Sequence, residues 1–519
     1  MSSIEVAAPA EPAPLPISTA RQQLLLLGAA YLILWTVCAA LIPRAMHIDS
    51  IEQVVWSQSW QWGYYKHPPL PSAMMRALNL AFGGPSQALT AFAAQGSSVV
   101  AMGYVWLLAR QMLAPRLTVV AVLLTSLLSY HTINALTLNH NTVSLPFTAA
   151  AFYYFYRGVV SGKRRHWLCL GVAAALAMLT KYSAVLALAG LLVFVVTQRL
   201  WRNARVLRGL ALSLAVFGIL LVPHVHWLIL NHFPTFHYAE HQLAPSKNRF
   251  VELLGFLINQ ASRVSVMALM AWLLLRSDHA FGNGSGDANE HLTPRERFDR
   301  RFLLITLCVP LVLAVAPALL RGDSLDSNWV TAYFLPTGIL LTHCLFRRNQ
   351  DPLLLRRSWK LAGLAHIGII IIFFAGAAVV PEMVGRNARF NFPSRQLADQ
   401  AAAIWRAHEN VPLRLVVADT WTGGNLALHL RPEPMVFMDH SLYKSRWLRE
   451  SDITQCGALV LTTIAQRASP AYAPLFSRAS ATGEFLLDWG FGKRGKVLDY
   501  AWAVVSPVQN GQLCRFKPR

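Results

Sequence analysis

Long apolar runs alternate with short polar segments along the first 380 residues. A helix that crosses a membrane needs about 20 predominantly apolar residues, and eleven runs approach or reach that length. They lie at about 22–43, 87–109, 117–132, 142–156, 167–180, 183–198, 209–230, 251–275, 302–320, 328–346 and 361–380. The pattern predicts a mainly α-helical, polytopic membrane protein with about eleven transmembrane helices.

Two neighbouring runs, 167–180 and 183–198, are only about 21–24 Å long as helices, shorter than a hydrocarbon core of about 30 Å. Basic residues flank the pair at 163–165 and 199–205, so a single crossing would place one cluster on the wrong side. The sequence therefore predicts two short helices that turn at 180–182. Lys181 would point outward there, either snorkelling or contacting an anion.

The pattern changes after residue 380. Strand-like segments at 413–418, 435–438, 458–461 and 501–505 alternate with a helical segment at 394–408 and a turn at Gly423-Gly424. Residues 381–519 are thus predicted to form a small α/β domain. Residues 21–380 would form the transmembrane domain, and residues 1–20, rich in Ala and Pro, a disordered cytoplasmic tail.

Composition agrees with this division, because 55% of the residues are hydrophobic and only 14% are charged, against about 25% in soluble proteins. A net charge of +21 would also suit a nucleic-acid-binding protein. However, alternate connections hold 21 Lys or Arg, and the opposite set, up to residue 327, holds only about seven. This sorting predicts a cytoplasmic amino terminus, an α/β domain outside the membrane, and no nucleic-acid partner.

The most unusual polar stretch, residues 49–70, follows the first apolar run directly. Asp49 and Glu52 stand three residues apart, so on a short helix both carboxylates share one face and can take a proton or hold a metal. A carboxylate at the edge of the hydrocarbon is costly unless it is paired or used. Lys66 and His67 precede Pro68-Pro69, which present a cation and a titratable ring on a rigid backbone suited to an anionic headgroup.

The aromatic residues of this stretch allow two interpretations. They form an interfacial belt beside a snorkelling Lys66, or they contact substrate. The residues concerned are Trp56, Trp60, Trp62, Tyr64 and Tyr65.

Two further polar clusters belong to predicted outer loops. Asn139, His140 and Asn141 lie at a helix junction, where they either contact a substrate or cap the helix. His237, Glu240 and His241 have helical spacings of three and four, which can bind a metal but lack the signature of a zinc protease helix. A glycine-rich segment at 281–287 has the composition of a flexible linker and lacks a phosphate-loop motif.

Six cysteines divide by location. Cys38, Cys169, Cys308 and Cys344 lie in or beside apolar runs and suit apolar packing. Cys456 and Cys514 lie in the predicted outer domain, where oxidising conditions permit a disulfide. The alternative is two free, buried thiols, since sequence spacing alone does not show whether the two α-carbons are close enough for a disulfide.

Four features taken together resemble a known family: an acid after the first helix, the block from Gly63 to Leu70 that ends in Lys-His-Pro-Pro-Leu, the triplet 179–181, and Ser327-Asn328-Trp329. They resemble bacterial membrane glycosyltransferases of the GT-C fold, in the branch of the protein mannosyltransferases and the aminoarabinose and galacturonic acid transferases of lipid A. The similarity covers roughly residues 20–345.

The resemblance implies transfer of a sugar, with inversion, from a polyprenyl phosphate to a lipid or glycolipid acceptor at the outer face of the bacterial inner membrane. The implied reaction needs no nucleotide cofactor. Asp49 matches the family's first-loop acid, the expected general base, with Glu52 as second candidate. Lys66, His67, Lys181 and Arg249 are candidates to bind the donor phosphate.

The substrate-binding residues expected from this resemblance are Tyr64, Tyr65, Asn139, His140, Asn141, His237 and Glu240. Relatives usually carry an acid or a neutral residue and then a lysine before Pro-Pro-Leu. Lys66-His67 departs from that order, which puts in doubt a metal site that uses an acid at position 66. A divalent metal of unknown identity stays an open expectation, with Asp49, His237 and His241 as its candidate ligands.

Other classes of protein share part of this pattern. A secondary transporter also has many helices, but its site lies near the bilayer midplane, whereas these polar clusters gather at one outer face. A lipid-linked oligosaccharide flippase or polymerase shares the substrates without requiring the block from Asp49 to Pro69.

Overall fold

The computed structural model describes residues 17–242, 248–280, 292–321, 327–349, 351–385, 387–489 and 496–516. The described part of the chain up to residue 383 is mainly helical. Its α-helices are α1 Ile17–Leu41, α2 Ile48–Trp56, α3 Leu70–Phe82, α4 Gln87–Ala109, α5 Pro115–Ser126, α6 His140–Ser161, α7 Arg164–Thr180, α8 Ala184–Thr197, α9 Ala204–Leu230, α10 Pro234–Gln242, α11 Arg249–Ala280, α12 Pro294–Arg321, α13 Thr337–Leu345, α14 Pro352–Phe374 and α15 Val380–Met383.

Each predicted apolar run overlaps at least one helix, but fewer of the helices are full-length spans. Within the described residues, six helices are long and apolar enough to cross a membrane, namely α1, α4, α9, α11, α12 and α14. A seventh is formed if α5 is counted with the short helical turns after it, from which it is bent by 83°. The prediction of eleven spans is therefore not confirmed, because α6, α7, α8 and α13 are shorter or less apolar.

Helix α1 begins at Ile17, inside the stretch predicted to be a disordered tail, and residues 1–16 lie outside the described part. The glycine-rich segment 281–287 also lies outside it. Helix α3 follows Pro68-Pro69 directly and ends at Gly83, whose φ is positive.

The two short helices predicted at 167–198 are confirmed as α7 and α8, with Lys181 at the end of α7. Although α8 has only 14 residues, it is held in place by packing. Its Phe194 ring lies 5.1 Å from that of Phe298 and 5.2 Å from that of Phe302, both on α12. Close aromatic packing of this kind stabilises a helix too short to be stable alone.

Beyond residue 387 helices alternate with strands. The elements are α16 Ser394–His408, β1 Leu415–Ala418, α17 Thr420–His429, β2 Met435–Met438, α18 Ser451–Cys456, β3 Ala458–Thr463, α19 Ala473–Ser477, β4 Ala481–Trp489 and β5 Lys496–Val505. The strand order is β2-β1-β3-β5-β4. β1 runs parallel to β2 and β3, whereas β5 runs antiparallel to β3 and β4.

Helix 394–408 and four of these strands agree with the sequence analysis, which missed β4. The predicted turn at Gly423-Gly424 is wrong, because both glycines lie inside α17. A β-carbon on Gly423 would lie 2.4 Å from Val436 Cγ1, and one on Gly424 would lie 2.3 Å from Ile51 Cγ2. The glycines thus allow α17 to pack closely against β2 on one side and α2 on the other.

The α/β domain also makes polar contacts with the first loop of the membrane domain. Gln58 donates through Nε2 to Glu433 Oε1 (2.9 Å) and to the Pro434 carbonyl (2.8 Å), and it accepts from Val436 N. Arg431 donates to the Pro85 carbonyl (2.7 Å). The domain is therefore docked on the loop that carries Asp49 and Glu52.

Cys456 and Cys514 form a disulfide, with their α-carbons 4.5 Å apart. It joins the end of α18 to the segment after β5. The remaining cysteines, Cys38, Cys169, Cys308 and Cys344, are free thiols.

Candidate active site

Helix α2 places the two candidate acids at the junction of the two domains. The His47 side chain accepts a hydrogen bond from Asp49 N and caps the helix. One face of α2 buries Ile51, Val54 and Val55 completely, in a cluster shared with α17 and β2. The short helix is therefore held by packing rather than by its own propensity.

Asp49 is the more accessible of the two acids, with 42% of its side chain exposed. Asn139 Nδ2 donates to Asp49 Oδ2 over 3.0 Å. The Oδ1 of the same Asn139 accepts from Asn141 N and Thr142 N and so caps α6. The capping interpretation of Asn139 is thus correct, and the same side chain also orients the carboxylate of Asp49.

Glu52 is buried and paired. Only 9% of its side chain is exposed, and Lys66 Nζ donates to its Oε1 over 2.7 Å. Burial raises the pKa of the Glu52 carboxyl, because lost hydration outweighs the attraction of Lys66. Burial alone would lower the pKa of Lys66, but the Glu52 charge and the neighbouring tyrosines raise it, so Lys66 stays a cation.

The aromatic residues of this loop fall into two groups. Trp60 and Trp62 are exposed, as expected of a membrane-interface belt. Trp56 is buried and stacks on Tyr64 with the ring centroids 4.8 Å apart, while the Tyr64 hydroxyl donates to the Trp56 carbonyl. The belt interpretation is therefore wrong for Trp56 and Tyr64, which hold the loop together.

The Tyr65 ring lies beside the ammonium of Lys66 instead. Lys66 Nζ lies 5.4 Å from the centroid of the Tyr65 ring and 5.6 Å from that of Tyr238 on α10. Such distances allow cation–π attraction. The ammonium of Lys66 is thus surrounded by one carboxylate and two aromatic rings.

His67 packs on His140, with the ring centroids 4.0 Å apart. Burial, together with His140, Lys181 and Lys66, lowers the pKa of His67 well below its ordinary value. His67 is therefore neutral at pH 7, and any contact with a phosphate would be a hydrogen bond rather than an ion pair.

A second polar cluster lies where α7 turns into α8. Lys181 Nζ donates to Asn141 Oδ1 and to the Asn328 carbonyl. Arg263 on α11 donates to Asn328 Oδ1 over 2.9 Å and lies 5.0 Å from the Tyr130 ring centroid. Asn141 follows Asn139 in the chain, so this pair of cations is connected to Asp49 through the start of α6.

The structure brings together most, but not all, of the candidate residues. His237 and Glu240 are exposed on α10, with Nδ1 and Oε2 3.8 Å apart. The side chains of His241 and Arg249 lie outside the described residues. Among the residues that are described, no group of three or more His, Cys, Asp or Glu side chains is placed to hold a metal.

Sequence reasoning missed two groups of residues. Arg263 sits inside the apolar run 251–275, and an arginine in such a run is itself a signal of function. Asp439 and Lys444 belong to the α/β domain and contribute to the charge around Tyr65 and Glu52 respectively. Nothing in their local sequence indicates that β2 ends beside the membrane domain.

Comparison with known proteins agrees with this architecture. Residues 66–227 match the family model described as dolichyl-phosphate-mannose-protein mannosyltransferase. The chain is 21% identical over 497 residues to the lipopolysaccharide core galacturonosyltransferase RgtA of Rhizobium johnstonii, covering 92% of this chain and 96% of that protein.

Two crystal structures of ArnT from Cupriavidus metallidurans, in the apo state and bound to undecaprenyl phosphate, each match with a TM-score of 0.60 at 15% sequence identity. The match covers 93% of this chain and 98% of theirs. The chain therefore has the fold of ArnT, and the resemblance to GT-C membrane glycosyltransferases is confirmed.

Proposed function

We propose that this protein is an inverting glycosyltransferase of the bacterial inner membrane. It moves a sugar from a polyprenyl-phosphate donor to a lipid A, lipopolysaccharide or other envelope acceptor at the periplasmic face. RgtA is named for galacturonic acid transfer to the lipopolysaccharide core, so galacturonic acid and core acceptors are the first substrates to test.

The observation that carries this proposal is the placement of Asp49. Its carboxylate is half exposed, is oriented by Asn139, and lies at the same outer junction as the cations Lys66 and Lys181. A base needs an accessible oxygen, and a phosphate leaving group needs fixed positive charge nearby. The accessible carboxylate and the two hydrogen-bonded lysines support the proposal on these two points.

In the proposed reaction an acceptor hydroxyl attacks the anomeric carbon of the donor sugar, and Asp49 takes the hydroxyl proton. A new glycosidic C–O bond forms as the bond between the anomeric carbon and the phosphate oxygen breaks. Its electron pair leaves with the polyprenyl phosphate. Attack from the face opposite the leaving group inverts the configuration.

The cations divide between two tasks in this proposal. Lys181 and Arg263 share Asn328 as a partner and stabilise the departing phosphate. Lys66 is tied to Glu52, so it chiefly orders the loop and adds positive potential. Glu52 is too buried to reach an acceptor hydroxyl, which leaves Asp49 as the base.

No step of this reaction is assigned to a metal, and the side chain of the candidate ligand His241 lies outside the described residues. The orientation is also part of the proposal: the sorting of basic residues favours a cytoplasmic amino terminus and a periplasmic α/β domain. A transporter would need its polar groups near the middle of the helices. Here Asp49, Asn139 and Lys181 lie at helix ends, although Arg263 lies inside α11.

The test is transfer by the purified protein from undecaprenyl phosphate galacturonic acid to lipopolysaccharide core, followed by mass spectrometry. Asp49→Asn is expected to lower kcat by at least about a hundredfold, the usual contribution of a general base. Asp488→Asn, on exposed β4, is the matched control and should retain full activity. Normal turnover in Asp49→Asn would refute the assignment of the base.

A further inference from the structure

The segment that follows β2, residues 439–447, forms a loop that reaches from the α/β domain to the membrane domain. It begins with Asp439 and His440, whose φ angles are 51° and 52°. Non-glycine residues rarely adopt positive φ, and such strain persists where surrounding structure enforces it. His440 is held by the Ala471 carbonyl and by Glu450, at 2.8 Å from each.

The same loop touches both outer elements that surround Lys66. The Tyr443 ring lies 5.7 Å from the Tyr65 ring, and its hydroxyl donates to the Pro234 carbonyl at the start of α10 (3.2 Å). Arg446 donates to Asn231 Oδ1 over 2.8 Å. The loop thus bridges the first outer loop and α10, directly beside the ammonium of Lys66.

Lys444 is the cation that this loop carries toward the site. Its Nζ donates to Asp439 Oδ2 over 2.6 Å, and 34% of its side chain is exposed. It lies close enough to Glu52 for its charge to act on that carboxyl. A lysine ammonium has three donors, so the bond to Asp439 fixes its position and leaves donors for a ligand.

The topology of the sheet supports a binding role for this position. Asp439 follows the carboxyl end of β2, which runs parallel to β1. In open α/β sheets, ligands bind outside the carboxyl ends of parallel strands. The loop that follows this strand end contacts the membrane domain, since the Tyr443 ring lies 5.7 Å from the Tyr65 ring. A ligand bound by Lys444 would therefore lie near the proposed active site.

We propose that Lys444, positioned by Asp439, is a substrate-binding residue that the α/β domain supplies to the active site. It binds a carboxylate or phosphate carried by the donor sugar or by the acceptor glycan. This inference rests on the proposed function, since it concerns the substrates of that same site. It assigns the α/β domain a direct part in substrate recognition.

The experiment measures Michaelis constants for Lys444→Gln, Lys444→Arg and the unaltered protein. Donor arms use undecaprenyl phosphate galacturonic acid and its neutral galactose counterpart, and acceptor arms use lipopolysaccharide core with and without its phosphates. Arg467→Gln is the matched control, because Arg467 forms an exposed ion pair with Glu484 on the same domain (3.3 Å).

Lys444→Gln is expected to raise KM about tenfold for the substrate that carries the recognised anion, the low end for a hydrogen bond to a charged group. The neutral counterpart should show no such rise, and Lys444→Arg should retain most of the affinity. If KM rises in the donor arm, the recognised anion belongs to the donor sugar; if it rises in the acceptor arm, the anion belongs to the acceptor glycan. Unchanged KM values, or an equal rise with charged and neutral substrates, would overturn the inference.

Failure of the proposed function would look different, since the unaltered protein would then transfer no sugar from any donor. In that case the inference is judged by equilibrium binding of undecaprenyl phosphate galacturonic acid, of its galactose counterpart, and of core oligosaccharides with and without phosphates. Weaker binding of one charged ligand, but not of its uncharged counterpart, by Lys444→Gln would support it. Equal dissociation constants of variant and unaltered protein for every ligand would overturn it.

Discussion

Removing Lys66 should cost more stability than removing an ordinary surface lysine. Lys66→Met leaves the Glu52 carboxylate, only 9% exposed, without its partner. Breaking a buried ion pair from one side costs about 3–5 kcal/mol. Because 26% of the Lys66 side chain is exposed and water can partly replace it, we expect a loss of about 3 kcal/mol in the free energy of unfolding, the lower end of that range.

The pH dependence of this loss has a defined sign. Burial already raises the pKa of Glu52 in the folded protein, and loss of Lys66 raises it further. The folded variant therefore takes up a proton that the unfolded chain does not, so its stability rises as the pH falls through the folded pKa. The difference between Lys66→Met and the unaltered protein should shrink below neutral pH.

The assay is unfolding in mixed detergent micelles at several pH values, with the double variant Glu52→Gln/Lys66→Met as control. Replacing both charges removes the unpaired carboxylate, so the double variant should recover most of the lost stability. A double variant as unstable as Lys66→Met, or a loss that does not change with pH, would refute the reasoning.

Two further predictions concern the docked domain and its disulfide. Gly424→Ala should destabilise the protein by about 1–3 kcal/mol and lower its activity, because the added β-carbon would lie 2.3 Å from Ile51 Cγ2. Gly363→Ala is the control, because a β-carbon there would have nothing within 4 Å. Without reductant, thiol labelling of the denatured protein should reach four cysteines but spare Cys456 and Cys514.

The sequence predicts those parts of the fold whose signals are local. Apolar runs indicate the membrane helices, and the basic flanks on both sides separate α7 from α8. Short apolar runs identify four strands but miss β4, where Gly483 and Glu484 interrupt an exposed edge. Gly423-Gly424 indicates a turn locally, yet in the structure the pair serves helix packing, which only the positions of Ile51 and Val436 reveal.

In the candidate site, too, the sequence predicts what is local and misses what depends on residues distant in the chain. The acids Asp49 and Glu52 are visible as a pair three residues apart, but their difference in exposure is set by elements remote in sequence. Asn139 orients the first, and Lys66 pairs with the second. Spacing places both acids on one helix face, and it cannot tell which one reaches the solvent.

The position of Asp49 depends on the α/β domain for a physical reason. Helix α2 has nine residues, far fewer than the roughly 12–15 at which an isolated helix becomes even marginally stable in water. Its buried face packs on α17, and its last residue, Trp56, stacks on Tyr64, which in turn touches Trp447 of the same domain with ring centroids 6.0 Å apart. The domain that carries Lys444 therefore also holds the helix that presents the proposed base, so movement of the domain would change substrate binding and proton transfer together.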